Sequence, residues 1–268
     1  MLHVMNLDAA QNAASPERLR ADLQPLRHAG IDLLCCQSTR HCTDGRDETS
    51  RLFTETLGMT YSCFAAGRHH GTILPNGTTR VRGLAMLTGS GVWVLNSGSF
   101  TVGKGDEEEV VQFAVIRKNG ASVLALNLHL APLPETQVSQ LRELFAHSLL
   151  KERYGAVVLC ADRPVPLSHK EWRGLAMLSN YGLHSQASPS VNGPGLLCLL
   201  VARAGALSEV VVCPPDPLSL FTAGDSTLAA MAVAFDMQRV VADKRNRPTF
   251  PLSFREQWLG YREHRAFA

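Results

Sequence analysis

Polar residues of the types that accept protons, hold hard cations or bind oxyanions stand at the ends of apolar segments along this chain. They occur in the order Asn6, Gln37 with Ser38, Asn127 with His129, Asp162, and Asp225. In folds built from several strands, side chains at neighbouring strand ends commonly assemble one site. Each also has a purely structural explanation, since Asn6 suits a turn, Asp162 a helix cap and His129 a hydrogen-bonded core position.

The elements that must position these residues follow from apolar periodicity and from helix and turn signals. Strands are predicted at residues 2–6, 31–37, 59–64, 81–88, 91–95, 110–118, 121–128, 154–161, 196–201, 207–213 and 228–237, and helices at 16–29, 48–57, 135–150 and 168–180. Asn119-Gly120 predicts a type I′ hairpin, because both central residues of that turn need positive φ. The strands at 81–88 and 91–95 are predicted to be adjacent, and residues 67–82 are predicted to form a surface loop.

Composition and this order of elements bound the fold. The chain has 268 residues, 45% of them hydrophobic, and a net charge of +2, which excludes disorder, a small disulfide scaffold and a strongly basic nucleic-acid coat protein. Antiparallel hairpins interleaved with helices favour two stacked sheets with helices outside. The sequence shows neither a signal peptide nor a stretch long and apolar enough to span a membrane, so an intracellular, soluble protein is expected. Cys35, Cys36, Cys160, Cys198 and Cys213 are predicted to be reduced core residues.

In chain order, the motifs resemble the endonuclease/exonuclease/phosphatase superfamily of metal-dependent phosphoesterases, which includes deoxyribonuclease-like enzymes. The family motifs W-N, P-D-I-I-x-x-Q-E, T-H-L, G-D-F-N and S-D-H are similar to Met5-Asn6, Gly30 to Ser38, Leu128-His129-Leu130, Ala161 to Pro164 and Gly224-Asp225-Ser226. Gly83 to Thr88 is likewise similar to the family's G-x-A-I-L-S strand. The resemblance covers residues 1 to about 236 and implies a four-layer α/β sandwich, with two stacked, mostly antiparallel sheets flanked by helices.

The resemblance also implies a role for each matching residue. Asp162 corresponds to the catalytic base, Asp225 to an electrostatic partner, and Asn127 and His129 to groups that contact the phosphoryl oxygens. Asn6 and Gln37 fall at the metal site, where the family uses Mg²⁺ as cofactor.

Departures from the family pattern occur at three site positions. The metal-binding Glu is Ser38, the Asn of G-D-F-N is Pro164, and the His of S-D-H is Ser226. A neutral hydroxyl removes the strongest ligand for Mg²⁺, and losing one positioned electrostatic group costs about 10²- to 10³-fold in rate. The sequence therefore predicts a catalytically inactive or impaired protein that acts as a binding or assembly module, with no cofactor and with Arg163 compensating the acidic site.

Two alternatives involve metals held by other residues. An active Mg²⁺-dependent phosphoesterase, either nuclease or phosphatase, would take a relocated carboxylate from Asp44, Asp47 or Glu48 and an imidazole from His69-His70. A zinc site would instead use Cys36, His41 and Cys42 with the same histidine pair, although no C-x-x-C motif supports it.

The C-terminal residues form a second feature, a basic aromatic tail at 241–268 that follows the main domain at 1–240. Its charges and its aromatic side chains alternate along the segment: Lys244, Arg245, Arg247, Arg255, Arg262 and Arg265, against Asp243, Glu256 and Glu263, with Phe250, Phe254, Trp258 and Tyr261 between them. Basic residues among aromatics suit a nucleic-acid strand or a protein partner, so Arg245 and Arg247 are predicted binding residues. The structural alternative is that the tail docks on the protein's own surface.

Overall fold

The computed structural model describes most of the chain up to residue 235. The described residues are 2–9, 16–42, 48–67, 71–75, 77–163, 165, 167–179, 182–187, 197–202, 212–213 and 229–235. The predicted site residues Asp225, Arg245 and Arg247 therefore lie outside the described residues, as do Asp44, Asp47 and the pair His69-His70.

Two sheets form the centre of the fold. Their strands are β1 (Leu2–Asp8), β2 (Leu33–Cys42), β3 (Tyr61–Ala66), β4 (Thr72–Ile73), β5 (Thr79–Thr88), β6 (Trp93–Val102), β7 (Glu109–Lys118), β8 (Ala121–Leu128), β9 (Ala156–Ala161), β10 (Gly182–Ala187), β11 (Leu197–Ala202), β12 (Val212–Cys213) and β13 (Ala229–Phe235). The first sheet has the order β12-β13-β1-β2-β5-β3, with β4 also paired to β5, and the second has the order β10-β11-β9-β8-β7-β6. Each sheet has one parallel pair, β1 with β2 and β8 with β9, and its other pairs are antiparallel.

Helices cover the outer face of each sheet. They are α1 (Pro16–Leu23), α2 (Glu48–Leu57), α3 (Pro134–Ala146) and α4 (His169–Ala176). Phe53 of α2 packs with Met5 and Leu34 on the first sheet, whereas Phe145 of α3 and Trp172 of α4 pack on the second. A third apolar cluster, including Val4, Cys35, Met86, Ala125 and Cys160, fills the space between the sheets. The predicted four-layer α/β sandwich is confirmed.

The structure corrects two predictions about connections. Strands β5 and β6 are not adjacent, because β5 lies in the first sheet and β6 in the second, so the turn between them joins the two layers. Residues 67–82 are not only a loop, since they contain β4 and the start of β5. The strand β10 was also missed. By contrast, the hairpin of β7 and β8 is confirmed, with φ of 50° at Asn119 and 82° at Gly120.

A β-bulge in β2 decides which way its last residues face. Cys36 pairs with Ala85 and Thr39 with Gly83, so Gln37 and Ser38 both lie opposite the single residue Leu84. Ser38 adopts a left-handed φ of 57°, which is uncommon for a residue other than glycine. Bulges of this kind bend a strand and re-aim side chains beside functional sites.

The cysteines and helices bear on two further predictions. Cys35, Cys36 and Cys160 are buried and form no disulfide with another described residue, as predicted for reduced core residues. The side chains of Cys198 and Cys213 lie outside the described residues. Across the described part of the chain, no helix combines the length and apolar character needed to cross a bilayer.

Candidate functional site

Buried amide side chains connect the two sheets where the central strands end. Asn6, Gln37 and Asn127 are fully buried, and Gln37 Nε2 donates to both Asn6 Oδ1 and Asn127 Oδ1, each at 2.7 Å. Asn6 Nδ2 in turn donates to the carbonyl of Ala161 at 2.8 Å. These bonds join β1 and β2 of the first sheet to β8 and β9 of the second.

Asn127 carries the network further into the sandwich. Its Nδ2 lies 3.1 Å from the carbonyl of Cys36, 3.0 Å from that of Ala85 and 3.1 Å from Gln112 Oε1. Gln112 then donates from Nε2 to the carbonyl of Cys63 at 3.0 Å. Since burying an unpaired amide is costly, this chain of bonds fixes how the two sheets sit against each other at this end of the sandwich.

A partly exposed histidine–aspartate pair lies beside this network, next to the bulge of β2 and just past the ends of β8 and β9; this end of the sandwich is here called the cleft. His129 Nδ1 is 3.1 Å from Asp162 Oδ2, and Asp162 Oδ1 accepts the backbone N–H of Leu130 at 2.9 Å. The backbone N–H of Ser38 donates to His129 Nε2 at 3.1 Å. Both ring nitrogens therefore have partners, and the Ser38 bond places the proton of the neutral ring on Nδ1, toward Asp162.

Burial and the neighbouring charges act in opposite directions on the pKa of the His129 ring. Burial alone lowers the pKa of His129, but the hydrogen bond and charge of Asp162, with the charges of Glu109 and Asp8, outweigh burial and raise that pKa above 6.5. The N–H of Ser38 opposes this effect, because a protonated Nε2 would face another donor. The charges prevail, because several carboxylates act together on a ring that remains 25% exposed.

Arg163 completes the described part of the site. Its Nε is 3.4 Å from Asp162 Oδ2; the Arg163 side chain is 48% exposed, whereas that of Asp162 is 8% exposed. The guanidinium therefore reaches from solvent to a nearly buried carboxylate. The sequence had predicted a basic residue in this role.

The donor set of the described residues does not fit Mg²⁺. The oxygen of Asn6 accepts from Gln37, Ser38 supplies no carboxylate, and Gln37 Oε1 is a single buried oxygen with no hydrogen-bond partner among the described residues. Mg²⁺ requires near-octahedral oxygen coordination with carboxylates. Among the described residues, no three His, Cys, Asp or Glu side chains are grouped to hold a metal ion.

Sequence reasoning placed seven residues that the structure brings together: Asn6, Gln37, Ser38, Asn127, His129, Asp162 and Arg163. It missed Gln112, for which the signal was a lone amide in the apolar strand β7. On β2 and β5, Arg40 lies past the end of the strand predicted at 31–37, and Arg80 lies in the predicted loop just before the strand predicted at 81–88. The alternation Arg80-Val81-Arg82 is typical of a half-exposed strand.

Solved structures with the same architecture identify the fold. An endonuclease/exonuclease/phosphatase family protein from Leptotrichia buccalis is 10% identical with a TM-score of 0.56, and the alignment covers 88% of this chain and 100% of that one. Zebrafish (D. rerio) TDP2, in complex with a single-strand DNA product, is 13% identical with a TM-score of 0.57, covering 88% and 98%. The human Nocturnin catalytic domain, with a bound sulfate anion, is 13% identical with a TM-score of 0.55, covering 88% and 93%.

This chain thus has the fold of the endonuclease/exonuclease/phosphatase proteins, and the resemblance seen in the sequence is confirmed at the level of the fold. No family model and no curated protein matches the sequence itself.

Proposed function

We propose that this chain is a catalytically impaired endonuclease/exonuclease/phosphatase-like protein that binds a phosphate-bearing ligand in its cleft. The observation that carries the proposal is Ser38. It stands where the related motif has its metal-binding Glu, and its N–H donates to His129 Nε2. The position therefore offers no carboxylate to a cation.

The bonding of His129 supports the same conclusion. Because Nε2 accepts from Ser38 and Nδ1 faces Asp162, the ring must break a bond before it takes a proton from water or contacts a phosphoryl oxygen. Loss of a single preorganised group costs about 10²- to 10³-fold in rate, and here the metal ligand and the imidazole are both affected.

Phosphate binding is supported by Arg163 and by the proteins that share the fold. A guanidinium that is half exposed beside a nearly buried carboxylate offers donors suited to phosphoryl oxygens. The zebrafish and human proteins hold single-strand DNA and a sulfate anion in their structures, and both ligands carry tetrahedral oxyanions.

The test is hydrolysis of p-nitrophenyl phosphate and bis(p-nitrophenyl) phosphate with Mg²⁺ or Mn²⁺. We expect the wild-type chain, Asp162→Ala and the control Asp106→Ala, an exposed carboxylate in a short 3-10 helix, to give the same background rate. Metal-dependent turnover that Asp162→Ala abolishes and Asp106→Ala retains would overturn the proposal. It would show instead an active metal-dependent phosphoesterase, for which Asp44, Asp47 and Glu48 are the candidate relocated ligands.

Returning the carboxylate tests the role of position 38 directly. We expect Ser38→Glu to bind Mg²⁺ in a calorimetric titration, because it adds an anionic oxygen ligand at the cleft. The matched control is Ser38→Gln, which has the same shape without the charge. Equal Mg²⁺ affinity in Ser38→Glu, Ser38→Gln and the wild-type chain would mean that position 38 is not the metal-ligand position.

A further inference from the structure

Three arginines lie together on the strands that extend past the bulge. Arg40 of β2 is the direct cross-strand partner of Arg82 of β5, and Arg80 lies two residues further along β5, opposite Cys42. Directly opposite residues in an antiparallel pair have Cα atoms about 4.5–5.5 Å apart, and their side chains project from the same face. Arg40, Arg80 and Arg82, here called the arginine row, therefore share one face of the first sheet.

That face is the one turned toward the second sheet. In β5, Met86 belongs to the cluster between the sheets, whereas Ala85 and Leu87 belong to the cluster under the helices. By alternation, Arg82 and Arg80 follow Met86. In β2, the extra residue of the bulge reverses the alternation, so that Arg40 faces the cleft instead of the helices.

The arginine row carries an electrostatic cost in the free protein. Like charges directly opposite each other destabilise a sheet. Burial, followed by the charges of Arg82 and Arg80, lowers the pKa of Arg40, and no carboxylate of the described residues offsets these effects. None of the three has an ion pair with another described residue. Local costs of this kind are characteristic of functional surfaces.

We infer that the arginine row binds the phosphate backbone of a single nucleic-acid strand and leads that strand to the cleft at His129 and Asp162. A linear row of guanidinium groups matches a linear polyanion, and Arg binds phosphate in a bidentate manner. The row lies on the face of the first sheet that is turned toward the second sheet, where a flexible linear strand has easier access than a flat bilayer.

This inference deepens the proposed function and rests on it for the chemical nature of the ligand. Catalytic impairment and strand binding by the arginine row can each be disproved without the other. Metal-dependent turnover would overturn catalytic impairment and leave strand binding in place, whereas an unchanged salt dependence of binding would overturn the arginine row and leave impairment in place.

The experiment measures the affinity of the full chain for a fluorescein-labelled single-stranded oligonucleotide by anisotropy at several salt concentrations. Each phosphate contact contributes about 0.7 to the slope of log K against log salt for a single strand, so Arg40→Gln/Arg80→Gln/Arg82→Gln should lower the slope by about 2. The matched control is Arg27→Gln/Arg142→Gln/Arg153→Gln, which removes three exposed arginines outside the row and should leave the slope unchanged.

Two further measurements keep the result decisive. The corresponding triple Arg→Lys variant retains the charges and should retain the slope, and thermal unfolding should show that the Gln variant folds, since it removes like-charge repulsion. Equal slopes in the Gln triple and the control would overturn the inference. So would loss of binding to phosphatidylserine vesicles with oligonucleotide binding unchanged, which would assign the row to a membrane surface.

Discussion

His129 is the cleft side chain whose charge depends most directly on one neighbour. Because Asp162 raises the pKa of His129, Asp162→Asn should lower it, while the amide oxygen still accepts the N–H of Leu130. The measurement is an NMR titration of the imidazole nitrogens. Asp106→Asn, at an exposed carboxylate in a short 3-10 helix, should leave the pKa of His129 unchanged. An unaltered pKa in Asp162→Asn would contradict the role given to Asp162.

The same pair has a defined effect on stability with pH. The pKa of His129 in the folded protein lies above the ordinary value of about 6.5, so binding the proton favours the folded state. This contribution is fully present below the ordinary pKa and is lost as pH rises through the raised one. The difference in unfolding free energy between wild type and Asp162→Asn should therefore be larger near pH 6 than near pH 9.

Asn127 should matter for stability more than any exposed amide. Asn127→Ala removes one of the two acceptors of Gln37 Nε2 and a donor to Gln112 Oε1 and to two buried carbonyls. Buried groups left without partners cost about 1–3 kcal/mol each, in part relieved by relaxation, so we expect a loss of roughly 2–4 kcal/mol in urea unfolding. Gln24→Ala, at an exposed amide, should change stability by less than about 0.5 kcal/mol. A similar loss of unfolding free energy in Asn127→Ala and Gln24→Ala would show that the buried amide network does not contribute measurably to stability.

At the residue scale, the sequence predicted which polar groups meet but not how they are bonded. Asn6, Gln37, Asn127, His129 and Asp162 were recognisable because each ends an apolar segment. The positive φ of Ser38 was not, because it depends on a bulge in β2 and on an acceptor, His129 Nε2, that lies 91 residues away in the chain. Local sequence carries no signal for such a contact.

A Cβ added at Gly174 or at Gly58 would have open space around it, so alanine at either position changes the backbone energetics without a packing clash. Gly174 lies exposed within α4, and a Cβ there would meet nothing within 4 Å, so Gly174→Ala should stabilise the fold by about 0.5–1 kcal/mol. Gly58 also has open space but a φ of 70° after α2, so Gly58→Ala should destabilise it by about 1–2 kcal/mol. Thermal unfolding measures both, and shifts of the same sign would contradict the argument.

At the scale of elements, the sequence correctly predicts those elements whose structure depends on residues close together in the chain. The Asn119-Gly120 hairpin and the helix from Glu48 to Leu57 follow from turn and capping residues. The connection through Gly89, Ser90 and Gly91 does not follow from its local residues, because a tight glycine-rich turn is compatible both with a hairpin and with a passage between sheets. Which of the two forms depends on whether β6 pairs with β7, and that pairing is decided by the second sheet as a whole.

For the whole molecule, the net charge of +2 conceals an uneven distribution that bears on strand binding. The arginine row faces the cleft, and the predicted basic tail carries six basic against three acidic residues from 243 onward. The tail lies outside the described residues, and its role as a separate segment after residue 240 remains a prediction.

The last prediction compares the two basic surfaces at equal charge. Lys244→Gln/Arg245→Gln/Arg247→Gln removes three positive charges from the tail, as the Gln triple does from the arginine row. If both surfaces contact one strand, each variant should lower the salt slope by about 2, and the six-fold variant by about 4, because independent phosphate contacts add. The oligonucleotide assay described above measures all three.

The alternative for the tail makes the opposite prediction. If residues 241–268 dock on the protein's own surface, the tail triple should leave the salt slope unchanged and deletion of the segment should lower the thermal midpoint of unfolding. If the tail binds the strand and does not pack on the protein, the deletion should lower the slope and leave the midpoint unchanged. The salt slope and the thermal midpoint together therefore show whether the tail contacts the nucleic-acid strand or packs on the protein.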